Sequence, residues 1–260
     1  MGTITYDFSG KTVLVTGASR GIGYGVAKGF ASSGADVLVL ADDAGVFDAA
    51  EKLSSETGAK VSGLQCDITD VEQIKSALDS VPHIDVLINN AGLERTTPIN
   101  DPDDAVEAVF RRIIDINVMG TFLMTRHALR KMGQGGRIIL TASIWGRTAV
   151  ADYSAYCASK HANIGFMRSM AHELAPMGIN VNAVCPGWVK TEAAMLTLAK
   201  MAKTSNRSED ELLDEIISGQ VLGGLLEPDD MAAAYLFLAS DGARDITGQA
   251  YHLDRGEVMA

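Results

Sequence analysis

The chain has 260 residues, 47% of them hydrophobic, enough for one sizeable core, and no stretch reads as disordered. With 33 acidic against 22 basic residues the formal net charge is -11, an acidic field that repels phosphate backbones and argues against a nucleic-acid partner. Cys66, Cys157 and Cys185 are odd in number and far apart, and the five histidines show no metal-ligand spacing, so neither a disulfide framework nor a metal site is expected.

Met1 to Phe8 lacks the basic run and apolar core of a signal peptide. No apolar run reaches the roughly 20 residues that cross a bilayer. The expectation is a cytoplasmic chain with no membrane partner. Along the chain, Thr12–Thr16 (TVLVT) has the β-branched character of a buried parallel strand. A glycine turn and a helix over residues 22–33 follow, with Gly34 ending the helix. Further strands are expected at 37–40, 61–65, 84–88, 137–141 and 179–184. Helices are expected at 46–56, 71–78, 103–132 and 153–174, with helix starts at Asp101–Pro102 and at residues 227–229. Regular alternation of this kind predicts a single Rossmann-type domain over residues 1–260: a doubly wound parallel sheet with helices on both faces. The helix-prone segment 191–224, rich in Met and Leu, interrupts the alternation and is expected to form a flap over a ligand site.

Residues 16–23 (TGASRGIG) join the first strand to the first helix. Glycines there let the backbone turn tightly and approach a pyrophosphate lying on the helix N-terminus. Alone, the Gly-x3-Gly-x-Gly spacing is weak, but its place after the first strand favours cofactor binding. The second strand ends in Ala41-Asp42-Asp43. A carboxylate at that point accepts hydrogen bonds from ribose hydroxyls and repels a 2′-phosphate, which favours NAD over NADP. Arg20 is the one nearby group able to reverse that preference.

Tyr156 and Lys160 stand at i and i+4 on one helix face. A phenol near pKa 10 is a poor base, and an adjacent cation together with a positive nicotinamide ring is expected to lower it. Ser143, just past the fifth strand, is placed to hold a substrate oxygen. Asn117, among Ile114, Ile116 and Val118, is also explicable as a buried packing amide.

Together these residues resemble the short-chain dehydrogenase/reductase family over nearly the whole chain. The family's glycine motif falls on residues 16–23, its Asn-Asn-Ala-Gly segment on Asn89, Asn90, Ala91 and Gly92, and its Pro-Gly turn on Pro186 and Gly187. Its tetrad falls on Asn117, Ser143, Tyr156 and Lys160. The resemblance implies that Tyr156 exchanges the hydroxyl proton, Ser143 bonds the substrate oxygen, and Lys160 also binds the nicotinamide ribose. Asn117 is then expected to hold a water that links Lys160 to solvent. It further implies dinucleotide contacts from Gly17, Ser19, Arg20, Gly21, Ile22, Gly23, Asp42, Asp67, Ile68, Asn90, Ala91, Gly92, Pro186, Gly187, Val189 and Thr191. A homotetramer is implied too, and Phe122, Met124, Phe166 and Met170 are expected to offer second apolar faces for it. Asp254-Arg255-Gly256 departs from the family's frequent Asp-Gly-Gly.

Substrate choice rests on three loops. Arg95 and Arg147 either clamp an anion or are solvated, one of them paired to Glu94. Trp145 either stacks on a sugar face or closes the pocket, and Met195 and Met201 read as flap packing. The reading that follows is NAD-dependent oxidation of a small polar secondary alcohol, polyol or cyclic sugar. Two alternatives stay open: an NADPH-dependent reductase of a keto compound such as a 3-ketoacyl thioester, and a dinucleotide-binding redox sensor without catalysis.

Overall fold

Alternating branched apolar residues decide how the strands assemble. A computed structural model of the chain describes residues 4–259; residues 1–3 of the N-terminal segment and residue 260 of the domain span lie outside the described residues. The strands β1 (Thr12–Thr16), β2 (Asp36–Ala41), β3 (Val61–Gln65), β4 (Val86–Asn89), β5 (Arg137–Thr141), β6 (Asn180–Pro186) and β7 (Ala250–Leu253) form one parallel sheet in the order β3-β2-β1-β4-β5-β6-β7. On β1, Val13 and Val15 face one core while Leu14 faces the other; on β4, Val86 and Ile88 oppose Leu87 in the same way. Leu14 lies beside Leu38 and Leu87 in register. Each such side chain contributes about 1.5–3 kcal/mol by leaving water, and burial on two sides accounts for the continuous apolar runs.

One face is covered by α1 (Gly21–Ser32), α2 (Gly45–Thr57) and, from near the C-terminus, a helix over Ala232–Ala239; Val26, Phe30, Leu53 and Tyr235 fill that core. The other face carries α3 (Val71–Asp79), α4 (Ala105–Ile114), α5 (Thr121–Ala128) and α6 (Ser154–Leu174), with Ile74, Met124, Met167 and Met170 inside. Met124 and Met170 are therefore core residues and not part of a second apolar face. Phe122 is exposed and touches Phe166, which is half-buried against the core, with ring centroids 6.0 Å apart.

Two features depart from the sequence reading. The helix expected over 103–132 is interrupted: Asp115–Gly120 forms a π-helical turn between α4 and α5, and a 3-10 turn, Leu129–Lys131, closes the run. A Cβ on Gly120 would lie 2.7 Å from Ile68 side-chain atoms, so the turn packs closely on the loop that follows β3. The seventh strand, β7, is a short edge strand with half-exposed residues, and its sequence AYHL carries no buried-strand signal. Between β6 and the last helix, α7 (Glu192–Ser205) and α8 (Glu209–Ser218) form an excursion. It opens and closes at one point, where Val189 bridges Leu226 and the Lys190 amide donates to the Leu226 carbonyl at 2.8 Å. Among the described residues no helix is long and apolar enough to cross a membrane.

Candidate active site

The order of strands reverses between β1 and β4, and a parallel sheet opens a crevice at the carboxyl ends of such strands. A cleft of about 750 Å³ lies there, lined from every strand from β1 to β6 and from α7. Its first half is made of backbone. Gly17 has φ +63°, and a Cβ on it would lie 2.7 Å from Ala91 Cα, so only glycine keeps the floor of the turn open. The turn is stapled from β4: Asn90 Nδ2 donates to the carbonyls of Thr16 and Gly17, both at 3.0 Å, and Thr16 Oγ1 accepts from the Asn90 and Ala91 amides. Asn90 thus holds the shape of the turn as well as lining the cleft. Gly23 does not line it; a Cβ there would run into the Gly17 carbonyl and Asn90, so its role is close packing of α1, not contact. Ser19, Arg20, Gly21, Ile22, Asp67, Ile68, Ala91, Gly92, Pro186, Gly187, Val189 and Thr191 all line the cleft.

The two aspartates after β2 have different jobs. Asp43 accepts from Arg20 at 3.1 Å, from Ser19 at 3.3 Å and from the Gly45 amide at 2.9 Å. Asp42 is exposed to the cleft, and its side chain has no protein hydrogen bond among those between described residues. Arg20 is further drawn toward Glu192, 4.0 Å away. Asp67 accepts from Thr69 and from Arg112 at 3.1 Å. Burial works to raise its pKa, but these bonds outweigh it and hold the carboxyl below its ordinary range. Arg112, from α4, is a cleft residue that sequence spacing did not single out.

The second half is made of side chains. Ser143, Tyr156 and Lys160 converge on it. Lys160, 3% exposed, donates to the Thr141 carbonyl at 2.7 Å, with Nζ 5.4 Å from the centre of the Tyr156 ring. Burial pulls its pKa down to about 8, against the opposing pull of the Glu94 charge. The protein's own groups, without a nicotinamide ring, push Tyr156 upward. Burial and then the Glu94 carboxylate raise it, the Ser143 hydroxyl lowers it less, and the protein's own groups hold it as a phenol.

Asn117 is fully buried, as its reading as a packing amide has it, and does not line the cleft. The π-helical turn rotates it so that Oδ1 accepts from the Leu93 amide at 2.7 Å, while Nδ2 donates to the Leu93 carbonyl and to Ser159 Oγ. It clamps the loop after β4 to α6, which is where π turns tend to be used.

Of the residues weighed for substrate choice, Trp145 stands in the cleft, edge-on to Tyr156 at 6.0 Å and to Trp188 at 6.1 Å, and beside Tyr153 at 5.3 Å. Arg95 lines the rim, but its guanidinium bonds the Glu94 main-chain carbonyl. Arg147 is outside the cleft: its Nε is 3.4 Å from His252 Nε2 on β7. A two-arginine anion clamp is not assembled. Glu94, Tyr153, Trp188, Thr197 and Lys200 also face the cleft. Burial raises the Glu94 carboxyl, with Thr197 Oγ1, donating at 2.7 Å, and the charges of Lys160, Arg95 and Lys200 opposing. Met195 and Met201 pack with Leu198, Leu212 and Trp188, so α7 and α8 carry a small core of their own. Among the described residues no cluster suited to a metal ion is present.

Comparison with known proteins agrees with this geometry. The family model described as enoyl-(acyl carrier protein) reductase matches residues 17–257. The chain is 36% identical to D-beta-hydroxybutyrate dehydrogenase of Cupriavidus necator, over 96% of this chain and 98% of that one. It is 35% identical to galactitol 2-dehydrogenase of Agrobacterium fabrum, over 96% and 98%. Among solved structures it is similar to L-sorbose reductase of Gluconobacter frateurii, complexed with NADPH and L-sorbose, with a TM-score of 0.89 at 26% identity over 99% and 100% of the two chains. The chain belongs to the short-chain dehydrogenase/reductase family and is an NAD(P)-dependent oxidoreductase of hydroxyl or keto groups.

Proposed function

We propose that the chain oxidises a small polar secondary alcohol, polyol or cyclic sugar with NAD. One observation carries the reading: Ser143, Tyr156 and Lys160 meet at one end of the cleft whose other end is the stapled glycine turn with two carboxylates behind it. The open floor at Gly17, the aspartate pair and Asp67 fit an adenine dinucleotide laid across the strand ends. Bound there, the dinucleotide supplies the hydride acceptor and a positive ring charge. Ser143 fixes the substrate oxygen. Tyr156 takes the hydroxyl proton once positive charge beside it offsets its raised pKa, and Lys160 stands ready to neutralise the phenolate. Asn117 acts through others, keeping the Leu93 loop and α6 in register. The α7–α8 excursion is the flap over this end, hinged at the Val189–Leu226 bridge.

NAD is favoured because Arg20 is already paired with Asp43 and because Asp42 offers a free carboxylate where a 2′-phosphate would come. NADPH in the sorbose reductase complex supports the competing reading, reduction of a keto compound with NADPH. Absorbance at the reduced-nicotinamide band, with alcohols, polyols and sugars tested against NAD and NADP separately, decides between them. Turnover with NAD on a polyol or sugar bears the proposal out; turnover confined to NADP overturns it.

A further inference from the structure

Glu94 is a carboxylate in the wrong place for an anion-binding pocket. It follows Asn117's anchor point, Leu93, and its half-buried side chain lines the same cleft as Trp145, Tyr153, Trp188 and Tyr156. One oxygen, Oε1, accepts from Thr197 of α7 at 2.7 Å. Among the described residues no cation lies within ion-pair distance: Arg95 bonds its main-chain carbonyl instead, and Lys160 is turned to Thr141. Among the described residues the second oxygen has no hydrogen-bond partner, and it is not sealed in the interior, so in this cleft-lining residue its acceptor capacity is unused. The two arginines that might have received an anion are occupied or outside the site. A hydroxyl can donate to a carboxylate there, whereas a substrate carboxylate would meet like charge in a water-poor pocket.

We propose that Glu94 is the specificity-determining residue of this enzyme: its free oxygen accepts a hydrogen bond from a second hydroxyl of the substrate, selecting neutral polyols and sugars and rejecting hydroxy acids. The inference rests on the reading of the cleft as a hydride-transfer site. The aromatic faces beside Glu94 cover the apolar side of such a ring or chain. The bond to Thr197 places the flap on the same carboxylate, so substrate and flap share one recognition group.

The test compares kcat/KM for the best polyol or sugar of the screen, hydroxybutyrate, cyclohexanol and a cyclic amino alcohol, in wild type and in Glu94→Gln. Ratios between substrates are read, because any change that Glu94 imposes through Tyr156 acts on all of them alike. Wild type is expected to prefer the polyol over both cyclohexanol and hydroxybutyrate. E94Q is expected to lower the polyol-to-cyclohexanol ratio about ten- to a hundredfold, the worth of a hydrogen bond to a charged group, and to raise the hydroxybutyrate-to-cyclohexanol ratio. Unchanged ratios overturn the assignment while leaving the dehydrogenase reading intact, as does wild-type preference for hydroxybutyrate. Preference for the amino alcohol, lost in E94Q, overturns it in favour of a cation site. If wild type turns over none of the panel with either dinucleotide, the hydride-transfer reading itself fails. Should E94Q not fold, Glu94→Asp, which draws the carboxylate back by one methylene, is read by the same ratios, and unchanged ratios there overturn the assignment.

Discussion

The two halves of the cleft are built by different means. The dinucleotide half is backbone: a glycine turn, two amides on Thr16 Oγ1, and one asparagine bonded to two carbonyls, all between segments adjacent in the sheet. The substrate half is side chains gathered from the loops after β4 and β5, from α6 and from α7. Backbone shape admits little variation, so the first half is fixed by a few glycines. The second can be changed residue by residue, which is how one fold serves many substrates.

The sharpest test of that division is Tyr156→Phe. If Tyr156 belongs only to the chemical half, the variant binds dinucleotide as wild type does while kcat falls about 10²- to 10⁴-fold, the usual worth of a general acid–base group. Fluorescence titration with NADH and a turnover assay separate the two effects. A comparable loss of dinucleotide affinity would break the division.

Lys160 sits on the boundary and carries a stability signature. Its folded pKa, about 8, lies below the ordinary 10.5 because burial disfavours the ammonium. Between those values the unfolded chain binds a proton that the folded chain does not, so stability rises with pH across the window and is flat below it. The penalty at neutral pH is about 3 kcal/mol as an upper limit, partly offset by about 1 kcal/mol from the bond to Thr141. Lys160→Met is therefore expected to be inactive but more stable than wild type near neutral pH, and to lose that advantage toward the unfolded pKa. Urea unfolding at two pH values reads this directly; parallel curves at both would refute it.

In the dinucleotide half, Asp43→Asn should free Arg20 and remove one negative charge from the adenosine end. The expected result is a roughly five- to tenfold rise in kcat/KM with NADP relative to NAD, a shift of order 1 kcal/mol across a solvent-exposed site. Asp42→Asn should weaken NAD instead. If D43N leaves the ratio unmoved, the Arg20–Asp43 pair is irrelevant to cofactor choice.

The same division explains what could be read in the sequence. Thr12–Thr16 and Arg137–Thr141 are found at their expected bounds because buried parallel strands announce themselves in branched apolar runs. The spacing of Tyr156 and Lys160 put them on one face for the same local reason. Arg147 was misplaced because its partner, His252, is 105 residues away on a strand with no apolar signal. The water expected at Asn117 came from the family resemblance; the clamp it forms on Leu93 was hidden because helical periodicity runs straight through Asp115–Gly120, and nothing in the pattern marks a π turn. Glu94 entered the sequence reading only as a partner for an arginine; its meaning comes from Thr197 on α7, 103 residues on.

Arg255, where the family often has glycine, lets the substrate half be loosened without touching the cleft. It stands at φ +56°, a left-handed conformation that costs a non-glycine residue roughly 1–2 kcal/mol. In return Nη1 bonds the Gly223 carbonyl at 2.9 Å and Nη2 the Leu225 carbonyl at 3.3 Å, while its own carbonyl accepts from Leu222. The tail thereby ties down the returning end of the α7–α8 excursion. Arg255→Gly removes the strain and the two bonds together, each bond being worth about 1 kcal/mol, so overall stability should change by less than about 1 kcal/mol. The flap should nevertheless be freer, raising KM for substrate about three- to fivefold while the affinity for dinucleotide and the midpoint in urea stay near wild type. A variant that instead loses dinucleotide binding would mean that the tail supports both halves, and the separation between them would end at β6.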